Sequence, residues 1–282
     1  MLNVVDFFRE NVGRLAPTTQ RGYARYLRDL AEWVGDSEVT TELLLEWLDL
    51  HDWGLASRRG AIIALRSFFR WAVGEESPAA RLHIPKNPES PRRALRPQQA
   101  LDLLATSDTS NIKGKRNLAI IALMLDTGLR NSELCNALIS NLSLQDCALQ
   151  VLVKGGRWEW CVFTDYTQRA LAEWMGVRDE VAVENRHIFV SLGGNKKGTK
   201  LGETGLQYII RTIAHQAGLG HVCPHELRHS FATLFLWAGG STRGAQLGGR
   251  WKSVAMVERY TGRIELETIR PHLPMNYLMN LE

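Results

Sequence analysis

The chain has 282 residues, of which 45% are hydrophobic and 23% charged, so it is an ordinary globular protein rather than a disordered one. Its formal net charge is +4, and the excess lies in residues 94–282, which carry 21 Lys and Arg against 17 Asp and Glu, whereas residues 1–93 carry 13 of each. This mild excess is compatible with nucleic acid as a partner but does not indicate it alone.

The same sequence argues against a membrane or secreted protein. No apolar run approaches the roughly 20 residues that span a bilayer. The first segment is interrupted by Asp6, Arg9 and Glu10, so it is not a signal sequence. The four cysteines show no paired spacing. We therefore expect reduced thiols in a soluble cytoplasmic protein.

Residues 1–83 predict four helices with short connections, the pattern of a small bundle. The second helix has a candidate cap at Thr18 or the next residue and ends at Gly35. The fourth begins near Ser57 and ends at Gly74.

Two series of arginines follow helical spacing within this bundle. Each series projects from about one face of a helix, as expected of a surface that contacts DNA phosphates. A solvated face with ion pairs along the helix is the alternative. The series are Arg21, Arg25 and Arg28, and Arg59, Arg66 and Arg70.

A proline-rich segment with four prolines between His83 and Pro97 separates two regions of the chain. Proline removes backbone donors and disfavours helix, so this segment reads as a linker. We place the linker at residues 84–93, between a first domain of residues 1–83 and a second of residues 94–282.

The second domain predicts helices around one β-hairpin. An apolar helix from Lys115 or the next residue reaches Gly128, which suits a left-handed helix end, and a new helix follows Arg130. Alternating apolar residues on either side of KGGR predict the hairpin. Two more helices span about 166–176 and 205–217, joined by the basic loop GGNKKGTK, whose Lys196 and Lys197 are further candidates for DNA contact.

Four motifs of this domain carry residues of the kinds that contact or attack a phosphate. They are TGLRNSEL with Arg130, VKGGRW with Lys154, HELRHSFAT with His225 and Arg228, and LGGRWKSVAMVERYTG with Trp251 and Tyr260. Together they resemble the tyrosine recombinases, particularly the short Xer-type members. The resemblance implies a mainly α (α+β) fold. A four-helix core-binding domain would precede a mostly helical catalytic domain with a small antiparallel β-sheet or hairpin.

The resemblance also implies a role for each residue. Arg130 and Arg228 would stabilise the charge of a pentavalent phosphorus, since fixed guanidiniums suit phosphate oxygens. Tyr260 would be the nucleophile that forms a 3′-phosphotyrosine, and Lys154 would protonate the leaving 5′-oxygen. His225 would hydrogen-bond the phosphate or assist proton transfer. Neither a metal nor ATP is required.

Trp251 departs from the common pattern, which has histidine nine residues before the tyrosine. An indole N–H can still donate to an oxyanion but cannot titrate, and a simple packing role is the alternative. The LGGR turn ahead of Trp251 is also longer than is usual in the family.

Two other functions compete with this interpretation. His225, Glu226 and His229 form HExxH, the signature of zinc peptidases, although no third ligand is evident. A type IB topoisomerase shares the phosphotyrosine chemistry, but the small helical first domain favours recombination. A DNA-binding protein without activity is disfavoured because all the catalytic residue types are present.

The resemblance further implies duplex recombination sites as partners. Two domains would contact opposite faces of the duplex. Four protomers in the synapse would exchange strands through a Holliday junction, with a monomer in solution left open. The tail, with Leu278, Met279 and Leu281, is a candidate for docking onto a neighbouring protomer or onto its own domain.

Overall fold

A computed structural model describes residues 3–86, 93–153, 155–182 and 184–261, with only the backbone described for 259–261. The chain divides into two compact units, Met1–Ser90 and Pro91–Glu282. Within the described ranges no helix combines the length and apolar character needed to cross a membrane. Most of the predicted linker lies outside the described residues. The whole of the tail that was predicted to dock lies outside them as well.

The first unit contains the four predicted helices. They are α1 (Val4–Glu10), α2 (Pro17–Val34), α3 (Thr41–Leu50) and α4 (Leu55–Val73). Their apolar faces meet in one core, in which Phe7, Leu27, Trp47 and Phe68 are almost fully buried. The threonine cap predicted for the second helix was wrong. The helix begins at Pro17, because proline fixes a helical φ and needs no backbone donor in the first turn.

The second unit has eight helices and one sheet in its described residues. The helices are α5 (Pro97–Ala105), α6 (Ile112–Thr127), α7 (Asn131–Cys135), α8 (Asp165–Ala182), α9 (Glu203–Gln216), α10 (Pro224–Trp237), α11 (Thr242–Gly248) and α12 (Val254–Thr261). The strands are β1 (Leu142–Ser143), β2 (Ala148–Val153) and β3 (Arg157–Val162). They pair antiparallel in the order β1-β2-β3, with Leu149 opposite Cys161. The prediction of a mainly α fold with a small antiparallel sheet is confirmed.

Helix α6 is the centre of this unit, packing against α8 and α10. Its residues from Ala119 to Met124 are apolar and all buried, so this part of the helix is covered on every side. It ends at Gly128, whose φ of 57° is left-handed as predicted. A Cβ at Gly128 would lie 2.6 Å from the ring of Phe231 on α10, so only glycine allows this close approach. The chain is thereby turned toward α10 directly before Arg130.

A small second core joins the last three helices of the unit. Phe231 of α10, Ala245 of α11 and Val257 of α12 are buried in it together with Trp251, which lies in the connection between α11 and α12. This core packs α12, and therefore the backbone that carries Tyr260, against the second half of α10.

Candidate active site

Arg130 immediately precedes α7 and is tied to the carboxylate of Glu133. Its backbone N–H donates to Glu133 Oε2 at 2.9 Å, and its Nη1 donates to Oε1 at 2.5 Å. About a third of the Arg130 side chain is exposed, whereas that of Glu133 is almost fully buried. The guanidinium is thus anchored on one side and accessible on another.

Arg228 lies in α10 and is almost fully buried. Its Nη1 donates to the carbonyl of Gly128, and its Nη2 donates to the carbonyl of Gly249 at 2.6 Å. Its Cζ also lies 4.3 Å from the ring centroid of Trp251, a cation–π contact. The side chain is therefore fixed on three sides.

The two arginines meet at one turn between α11 and α12. Arg228 donates to the carbonyl of Gly249, and Arg130 Nη2 donates to the next carbonyl, that of Arg250, at 3.4 Å. Two cations far apart in the sequence are thereby brought onto adjacent peptide groups. They form one positively charged site rather than two separate pockets.

Glu133 is the carboxylate between the guanidiniums of this site. Burial of the carboxyl would by itself raise its pKa, but the hydrogen bond from the Arg130 backbone and the charges of Arg250 and Arg130 outweigh burial. The pKa of Glu133 is consequently lowered, and the group is an anion at neutral pH. It orients Arg130 through both of its oxygens.

Trp251 is buried beneath Arg228. Its ring stacks on that of Phe231, with centroids 6.1 Å apart and planes at 18°. Its backbone N–H donates to Gln246 O at 3.0 Å, and its carbonyl accepts from Gln246 Nε2 at 3.2 Å. These contacts support the alternative that Trp251 has a packing role. Its cation–π contact also helps to place Arg228.

His225 is exposed in the first turn of α10, and its ring centroid lies 4.1 Å from that of the buried His229. Between them, Glu226 Oε2 accepts from the backbone N–H of Cys223 at 2.7 Å. Glu226 therefore caps the helix. In the described ranges no three His, Cys, Asp or Glu side chains are grouped as metal ligands. The zinc-peptidase alternative gains no support.

The side chains of two predicted catalytic residues, Tyr260 and Lys154, lie outside the described part of the structure. Tyr260 lies in the last turn of α12, but its side chain is outside the described part of the structure. Lys154 lies outside the described residues, and the two glycines that follow it in the sequence, Gly155 and Gly156, have positive φ. The roles of Tyr260 and Lys154 stay predictions.

The predicted phosphate-contacting residues divide into two groups. Arg59 and Arg66 donate to carbonyls at the end of the first unit: Arg59 to Pro85 at 2.7 Å and Arg66 to Ala79 at 3.3 Å. The others are exposed: Arg21, Arg25, Arg28, Arg70, Lys196 and Lys197.

Sequence reasoning missed Arg250 and Gly249. The carbonyls of both residues bind the site arginines, and a Cβ at Gly249 would lie 1.8 Å from the Trp251 ring. The signal was present in the unusual length of the LGGR turn, although that length alone did not give either residue a role.

Paired arginines on one turn, beside a helix that carries a tyrosine, define a class of protein that binds a phosphodiester as an anion. Comparison with known proteins agrees with this class. The phage integrase family description matches residues 93–265. Tyrosine recombinase XerC of Corynebacterium glutamicum is 30% identical over 258 residues, covering 86% of this chain and 82% of that protein. Tyrosine recombinase XerC of Corynebacterium efficiens is 32% identical over 255 residues, covering 86% and 79%.

Solved structures show the same fold. The crystal structure of XerA recombinase has a TM-score of 0.59 at 25% identity and covers 96% of this chain and 98% of that chain. XerH recombinase bound to its palindromic difH substrate has a TM-score of 0.73 at 21% identity, covering 91% and 80%. The chain belongs to the phage integrase family of tyrosine recombinases, which confirms the resemblance found in the sequence.

Proposed function

We propose that the protein is a site-specific DNA recombinase that cleaves and rejoins strands through a covalent phosphotyrosine. The observation that carries the proposal is the convergence of Arg130 and Arg228 on the adjacent carbonyls of Gly249 and Arg250. Two fixed, permanently charged forks side by side suit the two non-bridging oxygens of one phosphodiester.

The proposed step is an in-line displacement at phosphorus. The phenolic oxygen of Tyr260 forms a bond to phosphorus, the bond from phosphorus to the 5′-oxygen breaks, and Lys154 donates a proton to that oxygen. Arg130 and Arg228 stabilise the charge that develops on the non-bridging oxygens. The phosphotyrosine conserves the bond energy, so the reverse attack by a 5′-hydroxyl rejoins a strand without ATP or a metal ion.

His225 and Trp251 complete the proposed site. The exposed position of His225 in the first turn of α10 lets its imidazole reach a bound phosphate, and the positive end of the helix favours the same anion. Trp251 holds Arg228 from below. We also propose that the indole N–H of Trp251 donates to the phosphate.

Duplex DNA is the proposed partner. Among structural neighbours, XerH is described bound to difH substrate and a lambda integrase dimer bound to a COC′ core site. We infer the same class of ligand here. Residues 1–83 would form the core-binding domain and residues 94–282 the catalytic domain. Four protomers would act on two sites through a Holliday junction.

The test captures the covalent intermediate. Nicked duplexes from a randomised library are incubated with the protein in EDTA, and the products are separated on a denaturing gel. A nick just beyond the cleavage point lets the short released piece, which carries the 5′-hydroxyl, diffuse away, so the adduct accumulates. Adduct formation by the wild type and by Tyr208→Phe, but not by Tyr260→Phe, is the expected result. Tyr208 is a matched control because it is two-thirds exposed on α9. An adduct that persists in Tyr260→Phe would overturn the assignment of the nucleophile.

A further inference from the structure

Arg250 is a buried cation in the same site, to which the family resemblance assigns no role. Only 2% of its side chain is exposed. Its Nη1 donates to Gly248 O at 2.7 Å and its Nη2 to Thr127 O at 3.0 Å. Because a buried charge is costly unless it is paired, these contacts and a nearby anion are needed to keep it there.

That anion is Glu133. Arg250 Nη2 lies 3.5 Å from Glu133 Oε2, while Arg130 Nη1 lies 2.5 Å from the other oxygen. Both carboxylate oxygens therefore face a guanidinium, and the carboxylate cannot rotate without losing one of them. One anion among the guanidiniums of Arg130, Arg228 and Arg250 also leaves the site with an excess of positive charge.

The backbone of Arg250 is unusual for its residue type. Its φ is +56°, and within the described ranges Cys147 is the other non-glycine residue at positive φ. This conformation favours glycine, so an arginine is retained against a local preference. We therefore expect the Arg250 side chain to make contacts that glycine could not make.

We propose that Arg250 is a positioning residue for Arg130. Its carbonyl accepts from Arg130 directly, and its guanidinium fixes the carboxylate of Glu133, which binds Arg130 from the other side. Arg130 is thus held before DNA arrives, which is how preorganised donors stabilise a transition state most effectively. The inference rests on the proposed recombinase function and extends it to a residue outside the expected set.

The first test separates the Arg250 side chain from its backbone. Arg250→Gly keeps the carbonyls and tolerates positive φ, so it removes the guanidinium alone. Arg250→Lys keeps the charge but not the fork. On DNA that is bound beforehand, we expect the rate of adduct formation to fall about 10- to 100-fold in Arg250→Gly, with affinity for uncut duplex unchanged. Millimolar methylguanidinium should restore part of the rate in Arg250→Gly, and the exposed Arg169→Lys should match the wild type.

The second test asks whether Arg250 acts through Glu133. In the Glu133→Gln background, Arg250→Gly should slow adduct formation by less than about 3-fold, because coupled residues are not additive. An Arg250→Gly protein that reacts at the wild-type rate would refute the inference alone. The inference would also be refuted if the rate losses of Arg250→Gly and Glu133→Gln were fully additive. It would likewise be refuted if Arg250→Gly reacted slowly, was not rescued by methylguanidinium and unfolded at a lower urea concentration than the wild type. A wild type that forms no adduct would instead refute the recombinase function.

Discussion

Trp251 supports Arg228 with the face of its ring rather than with a titrating atom. The ring stacks on Phe231, with centroids 6.1 Å apart, and its centroid lies 4.3 Å from Cζ of Arg228. An indole has no proton to exchange near neutral pH, unlike the histidine that is common at this position. The site therefore contains one histidine fewer to titrate than the common pattern.

Replacing Trp251 separates its ring face from its N–H. Trp251→Phe keeps an aromatic face under Arg228 and should lower the rate of adduct formation only about 10-fold, within the range of one lost neutral hydrogen bond. Trp251→Ala removes the support and leaves a cavity, so we expect a loss of at least about 100-fold and a destabilisation of about 3–5 kcal/mol. Single-turnover cleavage and urea unfolding measure the two effects. Equal rates in the two variants would contradict the support role.

Individual residues differ in how far the sequence could place them. Arg130 and Arg228 were predictable because their motifs have fixed neighbours, and the structure brings both to one turn. Arg250 was not, because the direction of its side chain depends on a left-handed φ that no local pattern demands. The side-chain roles of Lys154 and Tyr260 stay predictions.

The turn from Gly248 to Trp251 acts as a structural element of its own. Its successive carbonyls accept from Arg250, Arg228 and Arg130. Its shape depends on Gly249, since a Cβ there would fall 1.8 Å from the Trp251 ring. Turn geometry, rather than either helix beside it, therefore sets the spacing of Arg130 and Arg228.

Gly249→Ala should displace this turn. The overlap with Trp251 is expected to cost about 1–3 kcal/mol, as overpacking usually does, and to abolish adduct formation because the carbonyl that binds Arg228 moves. Gly176→Ala is the matched control. Gly176 is exposed within α8 with no atom near a Cβ, so the same change there should stabilise the protein by about 0.5–1 kcal/mol. Urea unfolding and cleavage rates test both, and an active Gly249→Ala protein would contradict the argument.

At the scale of elements, strong periodicity was a reliable guide. The alternation around KGGR predicted β2 and β3, and the apolar run before Gly128 predicted α6. Strand β1 could not be predicted, since two residues are too few to show a period. The start of α6 at Ile112 was missed for a similar reason: its first turn, capped by Asn111, contains little apolar sequence.

Across the whole molecule, helical spacing identified the arginine faces of α2 and α4. It did not show which parts of the chain pack against those faces. Arg21, Arg25 and Arg28 are exposed, so α2 fits a phosphate-contacting face. Arg59 and Arg66 lie partly covered and donate to carbonyls of Pro85 and Ala79. Only tertiary structure could reveal those acceptors, because they lie many residues away.

This difference predicts opposite results for the two helices. Changing Arg21 and Arg28 together to Gln should weaken DNA binding and reduce the slope of log affinity against log salt by about one unit per residue, without lowering stability. Arg25 is left unchanged because it donates to Tyr26 Oη at 2.8 Å. Changing Arg59 and Arg66 to Gln should lower stability by about 0.5–1.5 kcal/mol for each bond that is lost. Salt titrations of DNA affinity and urea unfolding distinguish these outcomes. A destabilised α2 variant with an unchanged salt slope would contradict the assignment.

The bonds from Arg228 join it to Gly128, 100 residues earlier in the chain, and to Gly249, 21 residues later. A chain that stops before the turn from Gly248 to Trp251 keeps Gly128 but lacks the Gly249 carbonyl that binds Arg228, the Arg250 carbonyl that binds Arg130, and the tyrosine. We expect such a truncated chain to hold Arg130 and Arg228 less firmly and to form no covalent adduct with DNA.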